Sequence, residues 1–134
     1  MKFTSIRYSE STFNIAILIL RVGMGVFLIH HGYDKLTHFE QYKGQFINFL
    51  GLGSTVSLGL SMFAEFFCSL LVIFGFLTRW AAIPVIINML VAVFKAHNAD
   101  FFGDGEHASL FAIGFISISL LGPGKYSVDG MIRK

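Results

Sequence analysis

Two charged side chains, Arg21 and Glu65, stand inside long apolar stretches of this chain. A charge at the middle of a membrane helix costs roughly 2.5–3.5 kcal/mol on insertion scales, so each must turn toward a partner rather than lipid. Arg21 lies about eight residues, or ~12 Å, from one end of its segment, and Glu65 about nine residues from the opposite face, so a long Arg side chain could close the difference. Two readings stay open. Arg21 and Glu65 form an ion pair that sets helix register, or one of them also serves a ligand or a proton path. His30, His31, Lys35, Lys95, His97, Glu106 and His107 crowd the ends of neighbouring apolar segments. Imidazole titrates near neutral pH, and burial raises carboxylate pKa values, so Glu65, His31, His97 and Glu106 are the candidate catalytic, proton-handling group. Arg21 and Lys95 are the candidate cofactor-binding cations. The competing reading is a ring of interfacial side chains that reach to water. No metal is expected, because no His-x-x-x-His or paired-Cys spacing occurs. The single Cys68 excludes an internal disulfide and reads as a small packing residue.

The elements that must position these groups follow from composition. The chain has 134 residues, enough for one domain; 54% are hydrophobic, 13% are charged, and 16 are Phe. Ordinary soluble domains carry about 25% charged residues, and a small one needs more polar coat than this sequence supplies. Lipid is therefore the expected solvent. The net charge of +2, without a basic stripe, excludes nucleic acid as a partner. Arg21 interrupts the first apolar run and no small-residue cleavage site follows it, so that run is expected to be retained.

Four apolar segments are predicted as helices over about 13–32, 56–77, 80–97 and 106–121, giving an all-α, four-transmembrane-helix up-down bundle over 1–134. The last two need flanking polar residues to reach the ~17–25 residues of a crossing. Gly51 to Ser54, Thr78-Arg79, Asn98 to Gly105 and Gly122-Pro123-Gly124 supply the breaks. The runs lack the alternation of a membrane barrel. Asn14, Arg21, Gly25 and Gly32 share one stripe, as do Ser61, Glu65, Cys68 and Gly75. Pro84, Asn88, Ala92 and Lys95 share a third, so an inward polar seam is expected, with small residues letting helices approach. Lys2, Arg7, Arg79, Lys125, Arg133 and Lys134 fall on the side of the termini, against Lys35, Lys43 and Lys95 opposite. The positive-inside rule then puts both termini in the cytoplasm of a cell with this protein in its inner membrane.

Several ordered pieces resemble the DoxX family of small bacterial membrane proteins, with its DoxD relatives. They are Leu20-Arg21-Val22-Gly23-Met24-Gly25-Val26-Phe27, His31-Gly32-Tyr33-Asp34-Lys35-Leu36, Ala64-Glu65, Gly75-Phe76-Leu77-Thr78-Arg79, Ala96-His97 and Gly122-Pro123-Gly124-Lys125-Tyr126-Ser127-Val128-Asp129. The resemblance covers about Ile15 to Asp129. It implies a four-helix bundle and a membrane component of quinone-linked oxidoreductase or oxidative-stress systems, with a quinone as cofactor. It also implies other membrane or redox subunits as partners; a second copy is the alternative, since four short helices alone enclose little space. The resemblance leaves enzyme and accessory subunit undecided. The rival functions are a non-catalytic assembly subunit and, behind it, a small proton-coupled transporter, which lacks support from inverted halves.

Overall fold

In the computed structural model, described over residues 3–44, 51–96, 100, 102, 103 and 105–132, every regular element among the described residues is helical. Helix α1 spans Glu10–Thr37, the short α2 spans Phe39–Tyr42, and α3 spans Ser54–Phe74. Helix α4 covers Thr78–Val91 and continues through a widened turn, Ala92–Ala96. Helix α5 covers Glu106–Leu121, and a last turn, α6, covers Val128–Ile132. The four long helices follow one another up and down, as predicted. Helices α1 and α3 are long and apolar enough to cross a bilayer, while α4 and α5 are shorter apolar helices.

The helix boundaries have local causes. Ser9 caps α1 by accepting from the Thr12 amide at 3.0 Å. The first helix was expected to stop at Gly32, but it runs five residues further. Gly32 lies at a crossing with α3 instead of terminating its own helix. A Cβ there would sit 2.6 Å from the Glu65 carbonyl carbon and 2.6 Å from the Phe66 nitrogen, so only hydrogen fits between the two backbones. Helix α3 ends at Gly75, whose φ of 75° permits the left-handed cap, with the Phe76 amide returning to the Leu71 carbonyl at 2.9 Å. Thr78-Arg79, expected to be the turn, instead opens α4; the turn itself is Gly75 to Leu77. Helix α5 stops at Gly122-Pro123-Gly124 as anticipated.

The packing is that of a bundle solvated by lipid. Its outward positions are apolar: Ile19 and Phe27 on α1, Phe74 on α3, Ile113 and Leu120 on α5 are all well exposed. Its interior holds Ile17, Leu28, Leu58, Val72, Val85, Phe115 and Ile118, but also Asn14, Arg21, Ser57, Ser61, Glu65, Ser69 and Thr78. A soluble helix shows the opposite arrangement, with polar groups outside. The predicted polar seam is therefore present and faces inward on α1 and α3; on α4 the expected stripe is only half-buried at Pro84, Asn88 and Ala92, and the Lys95 side chain lies outside the described residues.

Candidate functional site

The seam carries two charged centres, one at each end of the bundle. Arg21 is 1% exposed. Its Nε donates to the Val72 carbonyl at 2.9 Å, and Nη2 donates to Ile73 at 3.0 Å. Nη1 donates to the carbonyls of Pro123 at 2.6 Å and Tyr126 at 3.1 Å. Four of the five N–H groups of a guanidinium are thus held by backbone oxygens. Val72 and Ile73 belong to the last turn of α3, where the helix dipole is negative and carbonyls have acceptor capacity to spare, so a cation fits there. Among the described residues the Val72 carbonyl takes only the Gly75 amide, at 3.1 Å, besides Arg21. The surrounding chain is stitched to the same point. Asp129 accepts from the amides of Leu77 at 3.1 Å and Thr78 at 3.2 Å, capping α4, and its own amide donates to the Gly75 carbonyl at 2.9 Å. Asn14 accepts from the Lys125 amide at 2.9 Å.

Glu65 lies toward the other end, 4% exposed. Its Oε1 receives Lys35 Nζ at 2.7 Å. Its Oε2 receives the Ser61 hydroxyl at 2.8 Å and the Asn88 amide at 2.7 Å. Glu65 sits within a wider, π-type stretch of α3, Phe63–Cys68. Such turns are rare and are often found at functional sites, because the extra residue redirects a side chain. Lys35 is placed by α1: it lies three residues after Gly32, one turn along the same face, and Gly32 brings that face against Glu65.

The expected Arg21–Glu65 pair is therefore absent. The antiparallel register sets Gly32 beside Glu65 and Arg21 beside Val72 and Ile73, seven and eight residues further along α3. Because α1 extends past Gly32, the boundary at this end moves by roughly 7 Å at 1.5 Å per residue. That shift carries Lys35, not Arg21, to the carboxylate. Arg21 does not join the Glu65 group, and its donors face carbonyls of this chain.

The remaining candidates divide. His31 is exposed on the rim of α1, its ring edge-on to Phe111 of α5 at 5.9 Å between centroids. Glu106 opens α5 and is exposed. The backbone of Lys95 lies in the Ala92–Ala96 turn, but its side chain, like the whole of His97, lies outside the described residues. Among the described residues no cluster of three or more His, Cys, Asp or Glu side chains could hold a metal. Sequence reasoning placed Ser61, Asn88 and Glu65 on inward stripes but missed Lys35 as the ion-pair partner. The signal was the Gly32-x-x-Lys35 spacing. Separately, a cleft of about 550 Å³ opens beside Arg79, Trp80 and Lys125, at the Arg21 end.

Five of the six resemblance-bearing pieces thus fall into two spatial groups, and the His97 of the sixth lies outside the described residues. The pieces with Arg21, Gly75 to Arg79 and Gly122 to Asp129 meet at one end, and those with Gly32, Lys35 and Glu65 meet at the other. The family model for DoxX matches residues 16–98. The chain belongs to the DoxX family. Similar members are the inner membrane protein YqjF of Escherichia coli K12, 28% identical over 127 residues, covering 90% of this chain and 95% of YqjF. The membrane protein Rv3486 of Mycobacterium tuberculosis is 25% identical over 134 residues, covering 89% and 82%. CatD of Bacillus subtilis, which carries a provisional oxidoreductase name, is 28% identical over 128 residues, covering 93% and 92%. No solved structure matches the chain. DoxX membership and these relatives establish a membrane protein.

Proposed function

We propose that this DoxX-family protein is a four-crossing inner-membrane component of a quinone-linked redox system, with both termini cytoplasmic, and that Glu65 is its proton-exchanging group. The observation that carries the reading is a carboxylate buried within a bundle yet tied to side chains that can move. Lys35 is partly exposed, with 20% of its side chain accessible, so Glu65 has a route to the membrane surface. The residues suit a quinone: Lys35, Asn88 and His31 offer donors for carbonyl oxygens, and Phe111 offers an apolar wall beside His31. When bound, the quinone would accept two electrons, delivered by a partner redox subunit, and two protons. In this chain Lys35 and His31 would orient the head group, while Glu65 would take up a proton from the water at the surface and pass it on at its Oε1 edge, once for each of the two protons. Glu106, exposed at the start of α5, extends that path at the surface. Arg21 does no chemistry here; it fastens α3 to the C-terminal segment. The provisional name of CatD agrees with the redox assignment.

Extraction and mass analysis of protein purified in mild detergent tests the reading. Retained quinone, with quinone turnover in membranes lost on Glu65→Gln, is the expected result. No quinone, and turnover unchanged by Glu65→Gln, overturns it. One observation favours a second reading: both Glu65 oxygens are already bonded, as in a purely structural ion pair. The chain would then be a non-catalytic assembly subunit, and Glu65→Gln would lower recovery of a larger complex without altering turnover per complex.

A further inference from the structure

The geometry points to an anionic phospholipid head-group site in the cleft between the start of α4 and the C-terminal segment, with Arg79 and Lys125 as its cationic contacts. The cleft is open, about 550 Å³, and is lined by Leu77, Trp80, Pro123 and Gly124 along with those two cations and Asp129. Its charge balance is positive. Both oxygens of Asp129 are turned onto the amides of Leu77 and Thr78, and no ion pair involves Arg79 or Lys125 among the described residues. The guanidinium of Arg21 lies directly behind the wall, bonded to the carbonyls of Pro123 and Tyr126. The Arg79 guanidinium packs beside Gly122, where an added Cβ would lie 2.8 Å from Nη2, next to the Pro123 and Gly124 wall of the cleft.

The position selects a lipid over a free anion. The cleft lies where α3 gives way to α4 and where α5 ends, at the water–lipid boundary of a bundle with apolar flanks. Trp80, at its edge, is 74% exposed, and Trp is the residue that settles at that boundary with its ring among head groups. A phosphodiester between Arg79 and Lys125 would leave its acyl chains to run down the exposed apolar side of α4, past Ile83 and Ile87. Basic residues at a membrane surface favour anionic lipid by roughly fivefold each. This site is independent of the redox reading, since it shares no residue with the Glu65 group.

Trp80 is the only tryptophan, so its fluorescence reports this cleft alone. The full chain would be reconstituted in phosphatidylcholine–phosphatidylglycerol bilayers in which one lipid at a time carries bromine on its acyl chains. Brominated phosphatidylglycerol should quench Trp80 several-fold more than its mole fraction predicts, and the double variant Arg79→Gln, Lys125→Gln should abolish the preference. Arg7→Gln, which removes a charge on the same side outside the cleft, should leave it intact. Equal quenching by the two lipids in the wild-type chain overturns the proposal, whether or not the double variant folds. So does equal loss of preference in Arg7→Gln, which would mark diffuse surface charge. Loss of the preference on adding inorganic phosphate alone would reassign the cleft to a free anion and overturn the lipid site.

Discussion

The two ends of this bundle bury charge in opposite ways. At the end near the termini, Arg21 is gripped by backbone carbonyls from α3 and the C-terminal segment, groups that cannot rotate away without unfolding something. At the other end, Glu65 is held by Lys35, Ser61 and Asn88, each a side chain with its own rotamers. The first arrangement fastens the fold. The second satisfies a charge while leaving it free to change partners, which is what proton exchange or ligand binding requires. A buried ionisable group in a membrane helix is therefore a functional candidate only after its partners have been identified.

Substitutions at Arg21 should break the comparison most visibly. Arg21→Met orphans several buried carbonyls at roughly 1–3 kcal/mol each, so folded protein recovered by size exclusion in detergent should fall severely. Arg21→Lys keeps the charge but cannot span carbonyls on two segments, and should recover only part of the loss. Next in size is Gly32→Ala, which forces a methyl into the α1–α3 backbone contact and should cost about 1–3 kcal/mol in thermal stability. Gly23→Ala is its control. Nothing lies within 4 Å of the added methyl, and the substitution should be neutral or stabilising by up to ~1 kcal/mol.

A double-mutant cycle sharpens the contrast further. Lys35→Met and Glu65→Gln should couple by about 0.5–3 kcal/mol, whereas Arg21→Lys and Glu65→Gln should add within ~0.5 kcal/mol, because they share no partner. The smallest effect is expected for Asp129→Asn, which weakens the cap on α4 but keeps one acceptor. It should lower stability by roughly 1 kcal/mol or less by the same thermal assay.

Much of the fold was readable from residue types. The four apolar segments, the terminating Gly122-Pro123-Gly124 and the inward placement of Ser61, Glu65 and Asn88 follow from periodicity and from the cost of polar groups in lipid. What could not be read has physical causes. The partners of Arg21 are main-chain carbonyls, which carry no side-chain identity and so leave no trace in a sequence scan. Lys35 escaped pairing with Glu65 because Gly32 looked like a helix end, when it is the point of closest helix approach. The π-type turn at Phe63–Cys68 adds one residue to a turn without a compositional mark, so the direction taken by Glu65 had to be seen. The Gly75 to Arg79 and Gly122 to Asp129 pieces, which carry the family resemblance, prove to be the two halves of one clasp around Arg21.

The adjustable nature of Glu65 is most directly tested by infrared difference spectroscopy of the protein in lipid bilayers as added quinone is reduced and reoxidised. The account predicts a reversible carboxylic C=O band that disappears in Glu65→Gln and persists unchanged in Arg21→Lys. A spectrum with no Glu65-dependent band, or a Glu65 band displaced by Arg21→Lys, would contradict it.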